Sequence, residues 1–267
     1  MTLDEAQILS NLFNKADSFI SRFNSDSFKA EEILKSAPEK LQTVVTEKSD
    51  KTTVQSSTSP AIETKKSIPS EQPVFAHTDN KITIKTINDK IIKCTRCPLA
   101  RTRTNVVPGQ GVENPDVLVI GEGPGYEEDV QGLPFVGKAG ILLDKMLAAI
   151  GLDRKSNCYI ANIVKCRPPQ NRDPSFEEQA ACISFLEAQI QILKPKMILC
   201  MGRISGQKLL NTESTLSQLR GKFYEYNNIP LLVTYHPSAL LRNENLKKDA
   251  WEDLKLFKKR LNEISGS

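Results

Sequence analysis

The chain has 267 residues, 39% hydrophobic and 25% charged, with a formal net charge of +4, which allows one sizeable core and an appendage. So small an excess of positive charge attracts a polyanion only mildly and does not identify nucleic acid as a partner. No apolar run approaches the roughly 18 residues of a membrane span, and the first residues lack the basic-then-apolar layout of a signal peptide, so a cytoplasmic protein with no membrane association is expected.

Residues 1–30 place Leu3, Ala6, Leu9, Leu12, Phe13, Ala16, Phe19 and Ile20 at helical spacing, which predicts an amphipathic helix. The apolar face over residues 1–22 fits a protein partner or the helix's own domain equally well. Residues 31–80 turn to Lys, Glu, Ser, Thr, Gln and Pro, typified by Ser56-Ser57-Thr58-Ser59-Pro60, and cannot bury enough surface to offset their ordering entropy; a disordered linker is expected. Residues 81–267 form the ordered domain. Ile82, Ile84, Ile87, Ile91 and Ile92 suggest a helix leading into Cys94. Asp116 to Gly121 reads as a buried strand feeding a glycine loop, Ala139 to Ile150 as a helix stopped by Gly151, and Cys158 to Val164 as a second strand. Ser175 with Glu178 is a capping box opening a helix to Leu193, ended by Pro195. Met197 to Met201 is a third strand and Arg203 to Leu210 a short helix. Gly221 to Tyr226 and Pro230 to Tyr235 make two more strands around an Asn227-Asn228 turn, and Leu246 to Ile264 is a closing helix. This alternation implies an α/β sandwich with a mainly parallel sheet. In such sheets ligands bind beyond the carboxyl ends of the strands, so the loops beginning at Gly121, Lys165 and His236 are candidates to line one site.

Of six cysteines, Cys94 and Cys97 form a C-x-x-C pair, Cys166 follows the second strand, and Cys182 lies on the capped helix. In a reducing compartment four such thiolates are candidates to converge on one metal centre. Zinc and an iron-sulfur cluster both suit four thiolates, and the spacing does not choose between them. Cys158 and Cys200 fall inside apolar strands and read as small buried hydrophobes.

Four segments carry the remaining chemistry. Gly121-Glu122-Gly123-Pro124-Gly125 with Glu127-Glu128-Asp129 lets the backbone approach a ligand closely, although alone it reads as a Gly/Pro turn. Leu133-Pro134-Phe135-Val136-Gly137-Lys138-Ala139-Gly140 offers an aromatic ring before a helix, and alone it reads as core. Asn162 to Pro169, NIVKCRPP, with Asn171 and Arg172, puts an amide at a strand end. His236-Pro237-Ser238-Ala239-Leu240-Leu241-Arg242 supplies one of two histidines.

In this order, with the four cysteines, these segments closely resemble the family-4 uracil-DNA glycosylases, from about Cys94 to the C-terminal helix. The expected fold is then a three-layer α/β/α sandwich with a central, mainly parallel four-stranded sheet and a disordered N-terminal extension. The resemblance implies hydrolysis of the N-glycosidic bond of deoxyuridine in single- or double-stranded DNA by a monomer, releasing uracil and leaving an abasic site. It implies a structural 4Fe-4S cluster on Cys94, Cys97, Cys166 and Cys182. It also implies that Phe135 stacks on a flipped-out uracil, that Asn162 reads the base edge, and that His236 donates to O2 as negative charge develops there. Glu122 and the Gly123 backbone would contact uracil or the attacking water, and Asn171 would help position that water. Glu128 would wall the pocket near C5 against the methyl of thymine. On the DNA, Ser238, Leu240 and Leu241 would contact or wedge the strand, while Arg242, Arg172, Arg167 and Lys138 would meet phosphates. Family-1 enzymes carry an aspartate where Gly123 stands, so no residue is singled out as general base. Two other readings compete: a non-catalytic iron-sulfur DNA-binding or polymerase-associated module, and a related glycosylase that stays bonded to the abasic sugar through a histidine on an inserted loop. The segment Asn211 to Tyr226 contains no such histidine.

Overall fold

The computed structural model describes residues 82–266; the expected N-terminal helix and linker lie outside them. Along the described chain run helix α1 (Ile84–Ile92), a 3-10 turn (Pro98–Arg101), strands β1 (Gln110–Gly111) and β2 (Val117–Gly121), helices α2 (Tyr126–Gln131) and α3 (Lys138–Ala149), and strand β3 (Cys158–Asn162). There follow α4 (Phe176–Leu193), β4 (Met197–Met201), α5 (Arg203–Leu210), α6 (Leu216–Leu219), the hairpin β5 (Phe223–Tyr226) and β6 (Ile229–Thr234), α7 (Pro237–Arg242) and α8 (Leu246–Ser265).

The sheet has six strands rather than four, in the order β1-β3-β2-β4-β6-β5. The expected parallel set is its centre: β3, β2, β4 and β6 pair in parallel, while β1 and β5 add antiparallel edges. β1 escapes sequence reading because it is two residues long with no apolar alternation. β5 follows from hairpin chemistry: Asn227 and Asn228 both take positive φ, 50° and 64°, as a two-residue turn twisted to match its strands requires.

The four central strands are buried on both faces, and their side chains alternate between two apolar layers. Leu118, Ile120, Ile198, Cys200, Leu231 and Val233 meet the isoleucines of α1 and the apolar face of α4. Val117, Val119, Met197, Leu199 and Leu232 meet α3 and the Leu254, Phe257 and Leu261 face of α8. Ser175 caps α4 through the expected box: its hydroxyl accepts from Glu178 N, and Glu178 reaches back to the Ser175 amide. No helix among the described residues is long and apolar enough to cross a membrane.

One buried charge ties the far end of the sheet together. Asp253 on α8, 1% exposed, accepts from Thr234 Oγ1 at 2.8 Å and from Arg220 Nε and Nη2 at 3.0 and 3.2 Å. Burial pushes its pKa up despite those donors. Asp253→Ala strands a buried hydroxyl and a guanidinium, and urea unfolding is expected to show a loss of about 2–3 kcal/mol. Asp249→Ala removes only an exposed partner 3.5 Å from Arg220 and is expected to cost less than about 1 kcal/mol.

Candidate active site

The chain leaves β2 for α3 and β3 on one side, then returns to β4 on the other, so the loops after β2 and β4 diverge and open a crevice at the carboxyl edge of the sheet. A cavity of about 440 Å³ occupies that edge. It brings together Glu122 and Gly123 after β2, Asn162 at the end of β3, Gly202 and Arg203 after β4, and His236 after β6. Phe135, Glu128, Asn171, Arg172, Ser238 and Arg242 complete its wall.

Gly121 ends β2 where any side chain would collide: a Cβ there would lie 2.7 Å from Phe135 Cζ and against Asn162 Oδ1. Phe135 is 5% exposed and takes a positive φ of 52°, a strained conformation for a bulky residue. Its ring lies 5.4 Å from that of His236, tilted by 32°. Asn162 is 2% exposed, and its Oδ1 is the single buried side-chain polar atom without a hydrogen-bond partner among the described residues. A buried acceptor left unpaired is costly, and this one lies against Gly121 in a residue that lines the cavity.

His236 caps α7, and this determines its tautomer. Its Nδ1 accepts from Ser238 N at 3.1 Å, a backbone donor that admits no reversal, so the neutral ring carries its proton on Nε2. Burial, with a smaller contribution from Arg242 and against the pull of Glu128, lowers its pKa to about 4. At neutral pH the ring is thus an uncharged Nε2–H donor. Glu122 moves the other way: burial first, then repulsion from Asp173, raises its pKa to about 7 against the opposing Arg203 charge. Glu128 accepts from Gly125 N at 3.1 Å and from Val136 N at 3.1 Å, bridging the glycine loop to the Phe135 loop while lining the cavity.

The other expected residues fall at the rim. Asn171 is exposed, with φ 55°, and its Oδ1 accepts from Arg167 Nε at 2.8 Å. Arg172 forms a bidentate pair with Glu178 at 2.7 and 2.8 Å, which fixes the loop to the start of α4. Arg242 and Lys138 are exposed. Leu240 needs correction as a DNA wedge: it is 2% exposed and packs in the α3/α8 layer. Successive residues on a helix point about 100° apart, so α7 buries Leu240 and presents Leu241, 46% exposed. Sequence reading missed Arg203, ion-paired to Asp173 at 2.6 Å, and Leu216. Arg203 was within reach of the strand-end rule, since it opens the loop after β4; Leu216 arrives on a four-residue helix that carries no periodic signal.

A second, much smaller cavity is lined by Cys94, Cys97, Cys166 and Cys182, with Arg96, Arg103 and Lys165. Arg103 Nη1 donates to Cys166 Sγ at 3.1 Å, and the fully buried Lys165 Nζ donates to Gln189 Oε1 at 2.7 Å. Cations in this number suit a centre whose ligands are four thiolates. Among the described residues no three His, Cys, Asp or Glu side chains are grouped closely enough to hold a single metal ion; the four thiols instead border one shared space, the spacing that a multi-atom cluster rather than one ion requires. Cys158 and Cys200 are buried in strands, as expected.

Residues 108–255 match the Uracil DNA glycosylase superfamily. The chain is 41% identical to the Type-4 uracil-DNA glycosylase of Archaeoglobus fulgidus over 174 residues, 62% of this chain and 87% of the relative. It is 44% identical to that of Sulfurisphaera tokodaii over 178 residues, 63% and 80% of the two chains. With the Thermotoga maritima Type-4 enzyme it shares 42% identity over 181 residues, 64% and 91%.

The site geometry makes a spectroscopic prediction. In ¹⁵N NMR, His236 is expected to show a neutral ring protonated on Nε2 from pH 8 down to near its pKa of about 4; a ring titrating near 6.5 would mean that it is not withdrawn from water.

Proposed function

The chain belongs to the uracil DNA glycosylase superfamily, and from that premise we propose how its pocket excises uracil. It is a DNA repair glycosylase, a hydrolase of the N-glycosyl bond that removes uracil from DNA. The observation that carries the reading of the site is Asn162 Oδ1, buried and unpartnered in the same wall as Phe135 and His236.

Uracil within a duplex is out of reach, so the nucleotide is extruded into the pocket at a cost of a few kcal/mol; stacking on Phe135 returns roughly 1–3 kcal/mol. Asn162 accepts from uracil N3–H and donates to O4. Cytosine presents an acceptor and a donor in those places, so the same amide rejects it. As the bond from N1 to C1′ breaks, its electron pair goes to the base and negative charge grows on O2. The neutral Nε2–H of His236 donates there, and being neutral it adds no charge to repel the positive sugar. Water attacks C1′ from the side of Glu122, whose carboxylate, with a pKa raised to about 7, takes the water proton near neutral pH. The Gly123 backbone borders the base, Asn171 orients the water, and Glu128 closes the wall beside C5. Arg242, Arg172 and Ser238 meet the DNA backbone, and Leu241 enters the space left by the extruded nucleotide.

Cys94, Cys97, Cys166 and Cys182 would hold a 4Fe-4S cluster. The all-thiol donor set around one cavity, with Arg103 on Cys166 and Lys165 beneath, fits that group. When bound, it would brace the segment before β1 to the loop after β3 and to α4, with no redox step in the hydrolysis. A cytoplasmic monomer acting on single- or double-stranded uracil-DNA, with residues 1–22 binding a protein partner, completes the proposal.

A uracil-containing oligonucleotide, treated with the protein and then with alkali, is expected to break at the uracil position; an intact strand at high enzyme concentration would sink the pocket's proposed role. His236→Ala is expected to slow single-turnover excision by about 10²-fold or more, while an unchanged rate would remove His236 from the mechanism. Because Glu122 acts as the carboxylate, the rate should fall as pH drops through about 7, and Glu122→Gln should flatten that profile. The cluster reading predicts a brown protein absorbing near roughly 400 nm, lost in Cys182→Ala; a colourless protein that excises uracil would refute it.

A further inference from the structure

The ring of Phe135 is carried by a peptide segment whose polar groups are held from two sides by opposite charges. Arg154 lies in the turn between α3 and β3, its side chain only 12% exposed, and it is not part of the pocket wall. Its Nη1 donates to Pro134 O at 3.0 Å and to Gln110 Oε1 at 3.1 Å, and its Nη2 donates to Phe135 O at 3.0 Å. Asp144 Oδ1 accepts from Nε and Nη2 at 3.0 and 2.7 Å, which fixes the plane of the guanidinium. On the other side, Glu128 Oε1 accepts from Val136 N at 3.1 Å and Gly137 N at 3.4 Å.

Two consecutive carbonyls therefore belong to a cation and the next two amides to an anion. Between them sits a phenylalanine with a φ of 52°. Such a conformation costs on the order of 1–3 kcal/mol and persists only where its surroundings over-determine it. The helix that follows approaches just as closely: a Cβ on Gly140 would overlap the Phe135 carbonyl. Relaxed to an extended conformation, the backbone would turn the ring away from Gly121 and from His236.

We propose that Arg154 is a positioning residue for excision, a fork that holds the Phe135 backbone in its left-handed conformation and so presents the ring to the extruded base. It acts on the reaction only through Phe135, and the proposal rests on the reading that this ring stacks on uracil. Arginine is needed because a lysine ammonium cannot bridge two carbonyls and a carboxylate in one plane.

The test is a double-mutant cycle on full-length protein, read by single-turnover excision from a single-stranded uracil oligonucleotide, with folding followed by thermal melting. Arg154→Met is expected to slow excision by about 10- to 100-fold, the scale set by small misplacements of a positioning group, and Arg154→Lys by an intermediate factor. In a Phe135→Ala background, Arg154→Met should change the rate by less than about 2-fold, because its effect has lost its carrier. Equal losses in both backgrounds, or Arg154→Met at the parental rate, would overturn the proposal. If Arg154→Met does not fold, the same comparison is made with Arg154→Lys. Phe135→Ala at the parental rate would instead remove the stacking reading itself, an outcome distinct from an additive cycle.

Discussion

The site depends on a missing side chain. Where β2 ends, Gly121 leaves a space into which both the Phe135 ring and the Asn162 amide intrude, and any Cβ there would meet both. The Phe135 ring and the Asn162 amide can thus approach each other across the end of a central strand. Packing at this density leaves no slack to absorb a methyl group, so the pocket's floor is set by backbone rather than by side chains that can rotate away.

From that floor outward, the pocket is organised by accounting for backbone polar groups. The Phe135 loop has neither helix nor strand to satisfy it, and charged side chains stand in: Arg154 takes its carbonyls and Glu128 its amides. Ser238 N–H, orphaned at the start of α7, is satisfied by the His236 ring. The bond that starts the helix thereby also leaves the proton of the neutral ring on Nε2, in a residue that lines the cavity. Burial does the rest, holding His236 neutral while keeping the Glu122 proton affinity near 7. One environment pushes an imidazole and a carboxylate in opposite directions, as expected when desolvation penalises the charged form of each.

The thiol cavity and the pocket are connected through a short stretch of chain. Asn162 closes β3, and Cys166 follows after three buried residues, one of which, Lys165, accepts from Val107 N through its carbonyl. Arg172, at the pocket rim, grips Glu178 on the helix that bears Cys182. A group bound by the four thiols would therefore hold the same loop and helix that carry the amide and the rim of the site. Its contribution to excision would be stiffness, transmitted over a few residues.

Much of this was legible along the chain. Buried strands announce themselves as apolar runs, Ser175 with Glu178 opens α4 where capping chemistry says it should, and Asn227-Asn228 specifies its own turn, because each is decided by neighbours within a few residues. The resemblance carried by the glycine, PFVGKAG, NIVKCRPP and HPSALLR segments extended that reading to the family and to the pocket residues. The sequence could not say that a two-residue strand, β1, would pair with β3, or that α7 would bury Leu240 and present Leu241. Nor did it mark Arg154, whose partners at residues 110, 134, 135 and 144 become neighbours only once α3 packs on the sheet. The tautomer of His236, the raised pKa of Glu122 and the strain at Phe135 belong to the same class. Local sequence determines hydrogen bonds and periodicity within an element, whereas burial, charge proximity and backbone strain are properties of surfaces brought together from distant parts of the chain, and only the tertiary structure decides them.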